Sequence, residues 1–344
     1  MDKGVVKGTI RIGRDLKVYE YSNGWKVSKV KFPNAMNVIK LFKKNGRFDD
    51  LVSKDRRFLK GELADGKVRG ARINVLPDGS KLNKAFSLFS EGLVIHDESS
   101  HGHWDVMFKN PNGKYAYVYT VDKVLNFRGK KYKKVEEFGK KYEILSRNVL
   151  RALSDSNDHF AVPMYTLLKT YMRVGNESYY NQYGHKGLTT LKKGDISVKG
   201  DRVSFSYLAK DGVPMKISES FPRSYIKRLS SELKGLKRDD FVFTLDGKPM
   251  KDTEFMKAFE RYCGERFYPH IVRSYYATST VREFLKGRRS ASKSEVNELF
   301  DSIAEKLGHK KFDKKNKEWK DSHNVTIHYY LEPSVLERVE SIIS

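Results

Sequence analysis

The hydrophobic period of this chain changes once, near residue 122, and that change limits what the chain can fold into. Before it the pattern is that of short strands. Val5, Thr9, Ile10 and Ile12 fit one strand, and Val18, Tyr19 and Tyr21 fit another ahead of a Ser22-Asn23-Gly24 turn. Tyr115, Tyr117 and Tyr119 alternate with smaller residues after Pro111-Asn112-Gly113, which reads as a strand with one aromatic face. Beyond residue 122, Val135, Phe138, Tyr142, Leu145 and Val149 recur at helical spacing and predict a long amphipathic helix. A second helix is expected from about Pro163, with Met164, Leu167, Leu168, Tyr171 and Val174 on its apolar face and Gly175 at its end. Ile196 and Val198, then Val203, Phe205 and Tyr207, alternate around turns at Lys199-Gly200-Asp201 and Lys210-Asp211-Gly212, the pattern of a small sheet. Ser292 and Glu295 form a capping box ahead of Val296, Leu299, Phe300, Ile303 and Leu307, and Gly308 stops that helix. The expected fold class is α+β, with a β-rich domain over 1–122 and a mostly helical domain carrying a small antiparallel sheet over 123–344.

Charge narrows the partner. Lys and Arg number 67 against 43 Asp and Glu, a formal net charge of +24. Such an excess favours a polyanion, with nucleic acid ahead of an acidic membrane surface. With Cys263 the only cysteine, an intrachain disulfide and a cysteine-rich zinc module are both excluded. No thiolate-activating pattern surrounds Cys263, so an inert cysteine is expected. The first residues lack the apolar core of a signal peptide, and no apolar run is long enough to span a membrane. The expectation is a soluble intracellular protein, with virion, host cytoplasm, nucleus and bacterial cytoplasm left open.

Two sets of residues could carry chemistry. His96-Asp97-Glu98-Ser99-Ser100-His101-Gly102-His103-Trp104-Asp105 holds enough histidines and carboxylates to bind a metal. It lacks the helical ligand spacing of known sites and precedes a predicted strand, so a polar turn or DNA-facing loop is the better reading. The absence of Gly-x-x-x-x-Gly-Lys-Ser/Thr argues against nucleotide hydrolysis. The second set is dispersed: Arg173, expected in the last turn of its helix; Lys210 in a hairpin turn; His270 and Arg273 at the start of a helix; His309 after Gly308; and the pair Tyr329-Tyr330. Taken singly, each reads as a packing or phosphate-contact residue in a basic protein.

Their order changes that reading. An arginine, a hairpin lysine, His-x-x-Arg, Gly-His and a C-terminal tyrosine resemble the tyrosine recombinase and type IB topoisomerase superfamily. Met172-Arg173-Val174-Gly175-Asn176-Glu177, followed by Gly187-Leu188-Thr189-Thr190-Leu191, resembles the segment around the first catalytic arginine of type IB topoisomerases of the poxvirus and bacterial kind. Tyr330-Leu331-Glu332-Pro333-Ser334-Val335-Leu336 resembles their nucleophile segment. The resemblance covers most of 123–344 and, more loosely, the stretch from His101 through the aromatic strand. It implies two domains forming a clamp around double-stranded DNA, with the protein a monomer on DNA and no membrane partner. It implies Tyr330 as nucleophile, Arg173 and Arg273 on the non-bridging oxygens of the scissile phosphate, His309 hydrogen-bonded to the same phosphate, and Lys210 protonating the departing 5′ oxygen. His270 would assist the phosphate contacts or the proton transfer. Tyr117, Tyr119, Lys310 and Lys311 are candidate DNA contacts. Neither ATP nor a divalent metal is required by this chemistry, because a phosphotyrosine conserves the ester. Cationic donors can neutralise the charge that builds on the phosphate.

Counting back from Pro333 selects Tyr330 as the nucleophile, whereas a Thr-x-x-Tyr spacing from Thr326 selects Tyr329. The fuller match of the segment favours Tyr330. Twenty residues separate His309 from Tyr330, more than in compact relatives, and Lys310 to Asn324 holds six lysines and three acids. That stretch is expected to be an inserted basic loop. Two alternatives to a topoisomerase remain: a site-specific recombinase or integrase, which a β-rich first domain disfavours, and a non-catalytic DNA-binding protein, which the complete residue set disfavours.

Overall fold

The computed structural model describes residues 4–70, 72–96, 104–111 and 113–344. It divides into two units, Met1–Lys130 and Lys131–Ser344. The division falls inside one long helix, eight residues beyond the expected boundary of 122.

In the first unit, β1 (Ile10–Ile12), β2 (Val18–Tyr21) and β3 (Trp25–Val27) form a meander, and the second turn uses Asn23 and Gly24 at positive φ. Val5 and Thr9 precede β1 rather than joining it. The chain then forms α1 (Pro33–Lys44), which the reading of this region as strands missed. Its buried residues Ala35, Val38, Ile39 and Phe42 have the three-and-four spacing of an amphipathic helix, and Pro33 suits a first turn. Next come β4 (Glu62–Ala64) and β5 (Lys67–Arg69), completing a five-stranded antiparallel sheet in the order β3-β2-β1-β4-β5. A hairpin of β6 (Ile73–Val75) and β7 (Lys81–Phe86) follows, then a three-stranded sheet of β8 (Glu91–Ile95), β9 (Val106–Lys109) and β10 (Tyr115–Val118). Ile12, Ile39, Phe42, Leu51, Phe86 and Val106 lie in the core of this unit.

The second unit is built on α2 (Val121–Ala152), whose Phe138, Leu145 and Val149 are fully buried. After it come α3 (Ala161–Thr170) and α4 (Glu177–Tyr183), then an antiparallel sheet of β11 (Ile196–Lys199), β12 (Arg202–Leu208) and β13 (Pro214–Ser220). Helix α5 (Arg223–Leu233), a short hairpin of β14 (Thr244–Leu245) and β15 (Lys248–Pro249), and α6 (Asp252–Cys263) lead to α7 (Ile271–Leu285) and α8 (Lys293–Leu307). The chain closes with β16 (Lys310–Asp313), β17 (Glu318–Asp321), α9 (Asn324–Tyr330) and α10 (Pro333–Ile342). One core gathers around Phe138, Leu167, Phe205 and Phe259, and a second joins α7, α8, α9 and α10 through Val281, Ile303, Leu307, Tyr330 and Val339.

Two further sequence expectations are corrected here, the end of α3 and the basic loop. Helix α3 ends at Thr170, not Gly175, because Tyr171 adopts the left-handed conformation (φ 56°) and its amide caps the Leu167 carbonyl. Arg173 therefore lies beyond the helix, in an extended segment. Lys310 to Asn324 is not an irregular loop. Its β16–β17 hairpin pairs Phe312 with Trp319, their rings 5.3 Å apart, and Ser322 N–H donates to the His309 carbonyl at 2.9 Å, closing the excursion at its base. Cys263 is buried and its Sγ lies 3.1 Å from the Phe259 carbonyl; burial pushes its thiol pKa up, so it is a poor nucleophile. Among the described residues no helix is long and apolar enough to cross a membrane.

Helix α8 begins with the expected capping box: Ser292 Oγ accepts from the Glu295 amide at 3.3 Å, and Glu295 accepts from the Ser292 amide at 2.9 Å. Substituting Ser292→Ala should destabilise the protein by about 1 kcal/mol, read as a lower urea midpoint with an unchanged slope.

Candidate active site

The second unit brings five of the six predicted catalytic residues into mutual contact or onto shared cleft walls around the sixth, Tyr330. Each arrives from a different element, and the local reasons differ.

Arg173 is held by its backbone. Its carbonyl accepts from the Leu188 amide at 2.8 Å, and the Val174 carbonyl accepts from the Thr189 amide at 2.6 Å. This close pairing leaves no room at Gly187, where a Cβ would lie 2.6 Å from both the Arg173 carbonyl oxygen and the Gly175 nitrogen. The Gly187-Leu188-Thr189 string thus has a physical role: it fixes the segment that carries the arginine.

Tyr330 ends α9. The terminal residue of a short helix is normally easy to expose, yet this one is 3% exposed, whereas Tyr329 is 64% exposed. Adjacent helical residues point about 100° apart, so only one of the pair can face inward. The inward one is Tyr330: its Oη accepts from Arg173 Nη2 at 3.0 Å. Its ring centroid lies 4.6 Å from that of His309 and 5.1 Å from that of His270, and Arg273 Cζ is 5.3 Å from it. The residues after it set the backbone. Leu331 is buried, Glu332 pairs with Arg282 of α7, and Pro333 opens α10 at a position where a missing N–H costs nothing.

Arg273 sits in the first turn of α7, 3% exposed. Its Nη1 donates to the Tyr171 carbonyl at 2.5 Å and its Nη2 to the Leu307 carbonyl at 2.7 Å, while His309 Nε2 lies 3.1 Å from Nη2. The buried Nε has no hydrogen-bond partner among the described residues. No carboxylate among them forms a salt bridge with Arg173 or Arg273. Burial pulls the Arg273 pKa down, yet guanidinium remains charged. An unneutralised cation in a dry place is costly unless an anion completes it.

The two histidines stay neutral beside these arginines. Burial, then the charges of Arg273 and Arg173, holds His309 down to about 3. Burial, then Arg273, Arg173 and Lys131, holds His270 down to about 2. His309 Nδ1 lies 2.8 Å from Thr326 Oγ1, and Thr326 is fully buried.

Lys210 is exposed in the tight turn between β12 and β13, where Asp211 and Gly212 take positive φ and the Ala209 amide closes on the Val213 carbonyl at 2.7 Å. It lines a cleft of about 520 Å³ with Arg173, His270 and Arg273, and a smaller one of about 150 Å³ with Arg173, Arg273 and His309. The Lys186 amide donates to the Leu208 carbonyl at 2.7 Å, which ties this hairpin to the segment beyond α4.

The remaining candidates are the four expected DNA contacts. Lys310 lines the smaller cleft and pairs with Asp321 at 3.8 Å, whereas Lys311 is exposed on the same strand. Tyr117 lies on β10 and Tyr119 just past its end, both in the first unit. Most of the His96–Asp105 cluster lies outside the described residues, as does Asn112; among the described residues no group of three His, Cys, Asp or Glu is arranged to hold a metal.

Two neighbours of Tyr330 escaped the sequence reading. Lys131 of α2 donates to the Tyr329 carbonyl and has its Nζ 5.4 Å from the Tyr330 ring centroid. Nothing in one sequence links positions so far apart. Thr326 was noticed only as a counting mark, although it lies four residues before Tyr330 on one helix.

The sequence profile of the eukaryotic DNA topoisomerase I catalytic core matches residues 127–329, ending one residue before Tyr330. Two solved structures of the XerH site-specific recombinase show a weak similarity. The post-cleavage complex with palindromic difH substrate has a TM-score of 0.35, and the pre-cleavage complex with difH substrate 0.36. Identity is 15% in both, over 59% of this chain and 51% or 52% of theirs, so the chain spans about half the length of those proteins. A comparison with curated proteins finds no match.

Two outcomes follow from this geometry. A methyl at Gly187 should cost about 1–3 kcal/mol through overpacking, so Gly187→Ala should lower the urea midpoint. The histidines give a pH dependence. Their folded pKa values lie below the unfolded value, so on acidification the unfolded chain takes up protons first. Stability is full above pH 6.5, the ordinary histidine value, and is lost as pH falls towards about 3. His309→Asn should flatten this loss between neutral and mildly acidic pH in urea titrations; an undiminished slope would contradict the assignment.

Proposed function

Because the chain belongs to the DNA topoisomerase I catalytic-core family, we propose that it is a type IB DNA topoisomerase, breaking and rejoining one strand of duplex DNA through a covalent phosphotyrosine. The observation that carries the reading is the pairing of a buried tyrosine hydroxyl with one arginine, at 3.0 Å, beside a second arginine that lacks an anionic partner. A phosphodiester entering between Lys210 and Tyr330 would supply the missing anion.

The steps balance without an added reactant. Tyr330 Oη attacks the phosphorus as its proton passes to water, and the bond to the 5′ oxygen breaks. Lys210 gives a proton to that oxygen, leaving a 3′-phosphotyrosine and a free 5′ hydroxyl. Arg173 and Arg273 hold the non-bridging oxygens, where charge grows in the transition state; losing one such donor commonly costs about 3 kcal/mol. His270 packs against the nucleophile's ring and lines the cleft, where it can steady the phosphate contacts. Rejoining reverses the steps, with the ester energy conserved in the phosphotyrosine, so neither ATP nor a divalent metal is needed. While the strand is open, rotation about the intact strand relaxes supercoils.

The partner is double-stranded DNA, and one chain suffices because every catalytic group comes from a single unit. The net charge of +24 suits phosphate contacts on both sides of the break, and the resulting affinity falls steeply with salt. Tyr117, Tyr119, Lys310 and Lys311 are proposed to contribute to such contacts.

The test is relaxation of a supercoiled plasmid with chelator and without ATP. Wild type and Tyr329→Phe should relax it, and Tyr330→Phe should not. Activity in Tyr330→Phe would reject the nucleophile. A trapped 5′-linked adduct, or recombination between defined sites without relaxation, would reject the topoisomerase reading.

A further inference from the structure

We infer that Lys186 and Asp195 are positioning residues for Lys210: their ion pair locks the hairpin that carries Lys210 to the segment that carries Arg173. This rests on the strand-breaking reading of the site and deepens it, because it gives work to a lysine and an aspartate that take no part in the bond changes themselves.

Two lysines, Lys186 and Lys210, line both clefts beside Arg173 and Arg273. They differ in what holds them. Lys210 is exposed, and among the described residues no carboxylate forms a salt bridge with it. Lys186 is gripped by both oxygens of Asp195: its Nζ donates to Oδ1 at 2.8 Å and to Oδ2 at 2.7 Å. The two side chains keep only 17% and 14% of their surface exposed. Asp195 is fixed in turn, since its Oδ2 also accepts from the Lys192 amide at 2.7 Å. A sheltered ion pair adds little net stability once desolvation is counted, whereas breaking it on one side is costly. What this pair chiefly supplies is a fixed geometry, and an ammonium already neutralised leaves the proton transfer to Lys210.

That geometry closes a ring of contacts. Asp195 directly precedes β11, whose Ile196 pairs with Phe205 of β12. Strand β12 runs on to Leu208, and the Leu208 carbonyl accepts from the Lys186 amide at 2.7 Å. The side chain of Lys186 thus grips the start of the sheet, while its backbone grips the hairpin two residues before Lys210. Two residues further on, the Leu188 amide donates to the Arg173 carbonyl at 2.8 Å. One short segment, 186–188, therefore sets the spacing between the arginine that holds the phosphate and the lysine that protonates the leaving oxygen. Lys210 has no ion pair of its own to steer it, so its place comes from the base of its hairpin. Misplacing a reacting group by about 1 Å can cost about 100-fold in rate.

The first test needs no activity. Amide hydrogen exchange of the free protein should be about tenfold faster at Lys186 in Asp195→Asn than in wild type, with Leu188 unchanged, because only the hairpin side of the segment loosens. Equal exchange at Lys186 in the two proteins would overturn the coupling. The second test is single-turnover cleavage of a duplex in which sulfur replaces the 5′ oxygen at the scissile phosphate, compared with the ordinary duplex. A thiolate departs without being protonated, so a defect confined to Lys210 disappears on the sulfur duplex. Asp195→Asn and Lys186→Met should cleave the ordinary duplex about 10–100-fold more slowly than wild type. Both should cleave the sulfur duplex at nearly the wild-type rate, as Lys210→Ala should. Equal slowing on the two duplexes would mark a general loss of structure and overturn the positioning role. The third test is Lys186→Arg, which keeps the ion pair but cannot give up a proton. It should restore most of the rate on the ordinary duplex. A loss as deep as in Lys186→Met would make Lys186 itself a reacting group and overturn the inference. A wild type that cannot cleave the ordinary duplex rejects the strand-breaking reading, while the exchange result still decides whether the ion pair holds the hairpin.

Discussion

The site depends on a buried positive charge without a matching negative one. Arg273 is enclosed by α3, α7 and the end of α8, and it is satisfied by carbonyl oxygens and a histidine rather than by a carboxylate. A salt bridge would have neutralised the guanidinium and, under the proposed reaction, left it little to offer a phosphate. Neutral acceptors aim the guanidinium without quenching it. Burial, and after it the same charge, keeps His270 and His309 unprotonated, and with Arg173 that charge surrounds the tyrosine hydroxyl with cationic groups. Electrostatic preorganisation of this kind acts before the reaction begins, so little reorganisation is required when charge develops.

Local patterns exposed a good part of this. The helical spacing of Val135 to Val149, the alternation of Val203 to Tyr207 and the Ser292–Glu295 box are short-range signals, and each corresponds to an element of the expected kind. Helix α1 was legible in the spacing of Ala35, Val38, Ile39 and Phe42, but the strands around it hid the signal. The true end of α3 was not legible. Tyr171 adopts a left-handed conformation that a bulky residue disfavours, and its carbonyl then serves Arg273 of α7. A tertiary contact overrides the local preference there.

The six catalytic candidates could be proposed from the order of residues, yet their meeting is a product of tertiary structure. Arg173 and Tyr330 are 157 positions apart and share a hydrogen bond. The choice between Tyr329 and Tyr330 illustrates the limit of counting. Two spacing rules gave different answers, whereas helix geometry and burial separate the two residues at once. Lys131 was beyond reach for the converse reason: no short-range pattern marks a lysine whose importance arises only when α2 passes the end of α9.

The hairpin between His309 and Tyr330 leaves and returns at almost the same point, since Ser322 bonds back to His309. Chain length there is therefore decoupled from distance: the route from His309 to Tyr330 is set at the base of the excursion, whatever its tip contains. Such a place works as a splice point. Evolution, or an engineer, can lengthen, shorten or replace the outer strands while the reacting groups keep their spacing, so this edge of the site is where related chains are free to diverge in size.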